Sequence, residues 1–529
     1  MNSRHGTIIQ LIVGIVLGVL VTLATIRVTD TKRMKDAKYG NWRKLNLILD
    51  QVDRNYVDTV DVVKMTDAAV TAALAKLDPH SVYMPPVQLQ QSEADLAGNF
   101  DGIGIQFNVP NDTAIVLEVI PGGPSEKVGL QPGDRLLKVN DIVIAGVKYH
   151  QDSIVRRLKG PAGTKVNVTV KRDKEVIPFD ITRGKIPVHS IDAAFMINDT
   201  TGYIRLSKFS RTTYQEFSTE SLKLLGLGMK RLIFDLRENT GGYFDQALRL
   251  SNEFLERKDD IVYMEGRNRK KEDYRADGKG ILKDIGLTVL IDENSASSSE
   301  IFAGAIQDND RGVIVGRRSF GKGLVQEPIY FTDGSGVRLT VARFYTPSGR
   351  CIQKPYGDDY DYDIYNRYVG GEVFSVDSIK VNKNDVHTTS HGRTVYGGGG
   401  IVPDIFVPVD TTRASAFYLA CNRKAIQMRY ASAMFDKYRK RLLEIDNFEE
   451  MDRFLSRMNI PSSFVAFATK EGIVPARGEW ARSEAYLLPQ LKALVARYSK
   501  LGENAFYKYY LPVDETVNVA LRSSSEVSY

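Results

Sequence analysis

Four serines crowd one short stretch, Asp292 to Asp310 (DENSASSSEIFAGAIQDND). There an apolar, buried-looking run gives way to the serine cluster and then to a helix pattern with Ile301, Ala305 and Ile306 inward. Serines at a helix start lie among free backbone N–H groups and the positive end of the helix dipole, which stabilise an oxyanion when a hydroxyl attacks a carbonyl. The same residue types are also the preferred helix caps. Residue type alone therefore leaves Ser295, Ser297, Ser298 and Ser299 as open alternatives, and capping as the plainer explanation.

A serine hydroxyl needs a base. The chain has six histidines, none in these glycine-rich core segments, and His80 in LDPHS (77–81) is the only one inside a recognisable motif. A lysine serves instead if burial lowers its pKa until it is neutral. Lys322 stands between glycines in SFGKGLVQ, just after the apolar run VIVG; the plainer reading is a solvated turn with a charged tip. A third segment, RLIFDLRENTGGYF (231–244), reads as a strand ending in the Gly241-Gly242 turn. Its amide N–H groups suit the carbonyl oxygen of a scissile bond, or merely let the chain reverse.

These residues need a scaffold. From Gly202 onward, strand-like runs (YIRLSKF, RLIFDL, LTVLI, VIVG, VRLTVARFY) alternate with helical stretches such as 245–255 and 299–307, which predicts an α/β core with a largely buried sheet. Residues 98–184 have a different texture, with short β-type runs punctuated by PGGPS, QPGD and GPAG turns, and read as a compact β-rich module. Leu45, Ile48, Leu49, Val52 and Tyr56, then Met65, Ala69, Ala73 and Leu77, recur at helical spacing before Asp78-Pro79. From Thr411 the pattern is helical again, whereas 354–396 is polar and aperiodic and reads as an insertion.

Taken in order, LDPHS (77–81), GIGI (102–105), DLRENTGG (235–242), SASSSE (295–300), GKGLVQ (321–326), LTVARFYTPSGR (339–350) and GIVPDI (400–405) resemble the C-terminal processing, or tail-specific, proteases. The resemblance covers roughly residues 40 to 410, and its most specific part is the serine-to-lysine block. It implies an α/β multidomain chain with a crotonase/ClpP-like protease core and an inserted PDZ domain. The family's spacing of nucleophile and lysine falls on Ser297 and Lys322, and its supporting glutamine on Gln326, placed to orient the lysine and hydrogen-bond its amine. Ser298-Ser299 stands where many relatives carry Ala-Ser. An aspartate implicated in some relatives would be Asp308, ranked below Gln326.

The implied chemistry is acyl transfer. Neutral Lys322 takes the Ser297 proton, the alkoxide attacks the peptide carbonyl, and Gly241 or Gly242 N–H with Ser298 N–H receives the oxyanion. Water then hydrolyses the acyl-enzyme, and neither metal nor organic cofactor is expected. The β-rich module resembles a PDZ domain, with Gly102, Ile103, Gly104 and Ile105 as its carboxylate loop. A substrate's C-terminus would add as a strand beside that loop and the helix bearing Ile154 and Leu158. The expected partners are proteins with accessible, free C-termini. Two rivals are weighed beside this reading. An inactive PDZ scaffold would lack Ser297 or Lys322, and a crotonase-like acyl-CoA enzyme would need neither that pair nor a PDZ module.

Composition narrows the remaining classes. Seventy-one basic against 65 acidic residues, with no basic stripe interleaved with aromatics, does not favour nucleic acid as a partner. Two cysteines, Cys351 and Cys421, exclude a disulfide scaffold or a cysteine zinc cluster. Thr7 to Ile26 is twenty residues without a charge, long enough to span a bilayer and longer than a cleaved signal's apolar region. Arg27, Lys32, Arg33, Lys35 and Lys38 outnumber Arg4 and by themselves favour a cytoplasmic domain. A long domain translocates largely regardless of charge, however, and the resemblance implies an extracytoplasmic enzyme held at the inner membrane by a single signal anchor. A homo-oligomer is compatible with this layout. The expected domains are 1–38 (anchor and linker), 39–97 (helical), 98–184 (PDZ), 185–410 (protease core with insertion 354–396) and 411–529 (helical).

Overall fold

Arg231–Asp235, Gly286–Ile291 and Val313–Gly316 are almost unbroken apolar runs, as strands covered on both faces require. A computed structural model describes residues 43–109, 112–357 and 359–523. In it these runs are neighbouring parallel strands of a six-stranded sheet ordered Ile191–Met196, Thr201–Leu206, Arg231–Asp235, Gly286–Ile291, Val313–Gly316, Ile405–Phe406. Only the first pair is antiparallel.

Alternate side chains leave the sheet on opposite faces. Leu232, Phe234, Leu287, Val289, Ile291 and Ile314 pack with residues of the helices Thr213–Gly226, Phe244–Asn252 and Ser298–Asp308. Ile233, Leu290, Val313 and Val315 pack on the other side with Leu511, Val517 and Ala520. The final helix, Glu515–Ser523, therefore covers the protease sheet, and position 411 is not a clean domain limit. The remaining C-terminal helices enclose a separate core that includes Phe417, Tyr430, Phe435, Phe464, Leu487 and Leu491.

The β-rich module is a sheet ordered Ile105–Asn108, Ala114–Val119, Arg135–Val139, Lys165–Arg172, Glu175–Thr182, with the helix Gln151–Leu158 over its own core. Its entering and leaving strands, Asn99–Gly102 and Gly184–Pro187, pair antiparallel, so the module joins the core through two adjacent crossings. It also meets the C-terminal helices. Arg135 pairs with Asp436, Arg439 donates to the Pro132 carbonyl, and Gly133 lies so close to the Phe435 ring that a Cβ would overlap it.

The amino-terminal part departs from the expected 39–97 helical domain. Helices at 43–55 and Val62–Leu74 form, the second capped by the Asp61 side chain accepting from Lys64 N. Neither buries a residue, and Leu47, Ile48, Tyr56 and Val63 are exposed. The compact unit ends at Leu77. Residues 78–97 belong to the following unit, because Val82–Met84 pairs antiparallel with Gly336–Tyr345 in a second sheet. The membrane span expected at 7–26 lies outside the described residues; among those described, no helix is long and apolar enough to cross a membrane.

Candidate active site

Ser297 lies where the Gly286–Ile291 strand turns, through residues 292–296, into the helix Ser298–Asp308. Its φ of 56° and ψ of −112° are backbone values that a non-glycine residue holds only when its surroundings impose them. Those surroundings are explicit. Ala296 N donates to the Asn239 carbonyl at 3.0 Å, Ser297 N to Glu300 Oε2 at 2.8 Å, and Ser299 N to the Ala296 carbonyl at 3.1 Å. Behind them Phe302 makes edge contacts with Phe234 and Phe254, ring centroids 5.1 and 5.7 Å apart, which seat the helix on the sheet. The helix is buried on every side, not only along the Ile301, Ala305, Ile306 face.

The four serines differ in what their hydroxyls do. Ser295 donates to the Leu236 carbonyl (2.8 Å), Ser298 to Gly242 (3.0 Å) and Ser299 to Asn239 (2.8 Å), and all three are buried. Ser297 is half-buried, and among the described residues its hydroxyl donates to no atom. It alone of the cluster keeps a proton to give.

The Gly-Gly turn lies directly against it. A Cβ on Gly241 (φ 98°) would stand 2.8 Å from Ser297 Cβ and 2.9 Å from Ser298 N, so only glycine permits this approach. Gly241 differs from expectation in its amide, which donates to Asn239 Oδ1 at 2.9 Å and is already occupied. Among the described residues, Gly242 N–H and Ser298 N–H have no acceptor, and these two form the donor pair beside Ser297. The turn is held from behind by buried Asp235, which takes Arg237 and Tyr203. The charges of Arg237 and Arg205 hold that carboxyl well below the usual range against the opposing effect of burial.

Lys322 lies in the loop between Val313–Gly316 and Leu324–Tyr330. Burial is the chief cause that lowers its amine below 10.5; Arg338 adds to this, while the charges of Glu300 and Asp78 oppose it. Among the described residues the amine of this partly buried side chain has no hydrogen-bond or ion-pair partner. Its backbone N–H donates to Glu300 Oε2 at 2.9 Å, the same oxygen that receives Ser297 N. Glu300, fully buried, also accepts from Ser319 Oγ at 2.5 Å and Gly321 N at 2.7 Å. Burial pushes its carboxyl upward against these four donors. Sequence reasoning missed Glu300, although a serine followed three residues later by glutamate is the capping-box signature.

Gln326 corrects a second expectation. Its Nε2 donates to the His80 carbonyl at 2.6 Å, not to the lysine amine. The LDPHS segment is tied to the same pair of strands: Asp78 accepts from His80 N, Ser81 N and Thr340 Oγ1, and Thr340 lies opposite Gln326. Burial and the Lys322 charge bring His80 down to about 4, so it is neutral at physiological pH. Asp308 is distant from all this. It closes the far end of the eleven-residue helix, about 15 Å from its start, in a buried ion pair with Arg350 at 2.6 Å.

In the β-rich module, Ile103 and Gly104 form the bend between Asn99–Gly102 and Ile105–Asn108. The bend is held by Ser125 N donating to Ile103 O (2.9 Å) and Ile120 N to Gly104 O (3.0 Å), with Gly104 at φ 77°. Ile105–Asn108 is the edge strand of its sheet, open to pairing on one side. Ile154 and Leu158 are buried in the module's core.

Comparison with known proteins agrees with this architecture. Residues 200–364 match peptidase family S41, 115–172 the PDZ domain, and 417–499 a family of unknown function. A probable CtpA-like serine protease of Staphylococcus epidermidis is 30% identical over 362 residues, 66% of this chain and 73% of the relative. One from Staphylococcus aureus is 32% identical over 315 residues, 59% of this chain and 63% of the relative. Among solved structures, the photosystem II D1 C-terminal processing protease aligns at 25% identity over 68% of this chain and 91% of that one, with a TM-score of 0.36. The chain belongs to peptidase family S41 and is a serine-type C-terminal processing peptidase that carries a PDZ domain.

Proposed function

We propose that Ser297 is the nucleophile and neutral Lys322 its base, in an endopeptidase that selects substrates by their free C-termini. The observation that carries this is the difference among the serines: three spend their proton on backbone carbonyls, while Ser297 does not and is held in a strained turn beside two free amides. Lys322 takes the Ser297 proton as Oγ bonds to the scissile carbonyl carbon. The carbonyl oxygen gains charge between Gly242 N–H and Ser298 N–H, and the lysine then protonates the leaving amine. Water, deprotonated by the same lysine, releases the acyl group and restores the serine. Gln326 acts through the His80 carbonyl, holding the Asp78–Ser81 loop beside the lysine.

The bend Gly102–Ile105 is the site for the substrate carboxylate, and the edge strand Ile105–Asn108 is the site for strand addition. The largely parallel sheet, with three helices on one face and the final helix on the other, supports a crotonase-type core. Residues 7–26 serve as an uncleaved anchor that keeps the catalytic part extracytoplasmic; detergent-dependent release of the full chain from membranes, and its absence on truncation, tests this.

The decisive experiment incubates the soluble portion, wild type beside Ser297→Ala and Lys322→Ala, with an unfolded protein bearing either a free or an amidated C-terminus. Both variants are expected to be inactive and amidation to slow the wild type. Equal cutting by all three would refute the Ser-Lys assignment, and indifference to amidation would refute tail recognition.

A further inference from the structure

The backbone of the loop that carries Lys322 is held by hydrogen bonds in two directions. Its amides go one way: Ser319 N to Ile401 O, Phe320 N to Ser295 O, and Gly321 N and Lys322 N to Glu300. Its carbonyls go another, into the polar segment after Lys354 that has no periodicity in the sequence. Arg367 Nη1 donates to Ser319 O at 2.7 Å and Arg318 O at 3.4 Å, and Nη2 to Phe320 O at 3.1 Å. Lys354 N donates to Gly321 O at 2.9 Å. Four consecutive carbonyls leading to the lysine thus end on two residues of that segment.

Arg367 is itself fixed. It is buried within the helix Asp363–Val369, paired to Asp363 at 2.9 Å, and its carbonyl accepts from Glu372 N at 2.9 Å. Glu372 in turn takes Arg318 through two 2.6 Å bonds. The turn before this helix reaches the LDPHS segment, where Tyr360 Oη meets His80 Nε2 at 2.5 Å. A buried guanidinium is costly unless its donors are used; here both terminal nitrogens donate to the backbone next to Lys322, and Nε has no partner among the described residues. A planar fork spanning three successive carbonyls is a geometry that ammonium cannot copy. Arg367 lies beyond residues 200–364, so the match to the peptidase family does not extend to it.

We propose that Lys354, Tyr360 and the helix Asp363–Val369 form a brace for the catalytic base, with Arg367 as the positioning residue that sets where the Lys322 amine stands. This rests on Lys322 being the base. If the brace loosens, the amine misses its mark and gains water. The rate then falls with little change in KM, and the acid limb of the pH profile moves to higher pH because a better solvated amine holds its proton longer.

The test compares Arg367→Met, Arg367→Lys and the exposed control Tyr365→Ala in the full chain, with Lys322→Ala alongside. Thermal denaturation gives the folded fraction. We expect both Arg367 variants to lose about a hundredfold in kcat at nearly unchanged KM, with the acid limb displaced upward and Tyr365→Ala unchanged. Added guanidinium ion should restore Arg367→Met in part and leave Lys322→Ala inactive. Arg367→Lys keeps the charge, so a normal profile in that variant would assign the effect to electrostatics and overturn the brace. Activity lost only in proportion to unfolded protein would overturn it as well. If Arg367→Met does not fold, Arg367→Lys alone decides. Full activity in Lys322→Ala would instead refute the base, independently of Arg367.

Discussion

The backbone N–H groups of Ser297 and Lys322, twenty-five positions apart, donate to one and the same carboxylate oxygen, Oε2 of Glu300, at 2.8 and 2.9 Å. Serine turn and lysine loop are therefore registered against each other by a single buried acceptor. Glu300→Gln turns an amide toward donors that lose their acceptor, so it should cost about 3 kcal/mol of stability, since bonds to charged groups and buried unsatisfied donors are worth a few kcal/mol each. It should also lower kcat about a hundredfold through misalignment. Urea denaturation and peptide hydrolysis read the two effects; a variant with wild-type rate would mean that the shared oxygen does not set the geometry.

The pH dependence follows from Lys322. Its folded pKa is below 10.5, chiefly through burial; in the proposed role of base it works only when neutral, so kcat/KM should rise with pH along a limb centred below 10.5. Lys322→Arg, whose guanidinium stays protonated, should be inactive at every pH. Linkage adds a second signature: between the folded pKa and 10.5 the unfolded chain holds a proton that the folded chain has released, so this lysine makes stability increase with pH across that window. Replacing Lys322 by Met should flatten that slope in urea melts at two pH values.

Gly241→Ala would push a methyl against Ser297 Cβ and the Ala296 carbonyl, each 2.8 Å away, at a φ of 98°. Strain at such a backbone costs roughly 1–3 kcal/mol. Because the clash falls on the turn that carries Ser297, the proposed nucleophile, we expect activity to fall far more than the folded fraction, as measured by turnover beside circular dichroism melts.

The β-rich module is held by the C-terminal helices through Arg135–Asp436 and the Gly133 contact with Phe435. Asp436→Arg should weaken this contact by about 1 kcal/mol, the scale of a partly exposed pair, and the exchange Arg135→Asp with Asp436→Arg should restore part of it. Hydrogen exchange at residues 130–136 is the measurement; protection equal in all three proteins would count against the helices fixing the module.

The core strands were legible because each is a short apolar run bounded by turn residues, and the helix at 298–308 because a serine cluster followed by an apolar helix pattern marks its start. Residues 354–372 were not legible. Arg367 and Lys354 reach the lysine loop and Tyr360 reaches His80, contacts that leave no period in the chain. The helices at 43–74 were legible as helices, yet their apolar residues are exposed, because periodicity forecasts a face and not what covers it.

Local sequence was enough for the core strands, the helix after the serine cluster, the glycines at Gly241 and Gly321, and the presence of a serine turn and a lysine loop, since backbone sterics and apolar periodicity act over a few residues. Only the tertiary structure decided which serine keeps its proton, that Gly241 N–H is taken by Asn239, and that Gln326 turns to His80. A hydrogen bond goes to whichever acceptor lies nearest in space, and for these groups that acceptor is brought close by strands and loops from distant parts of the chain.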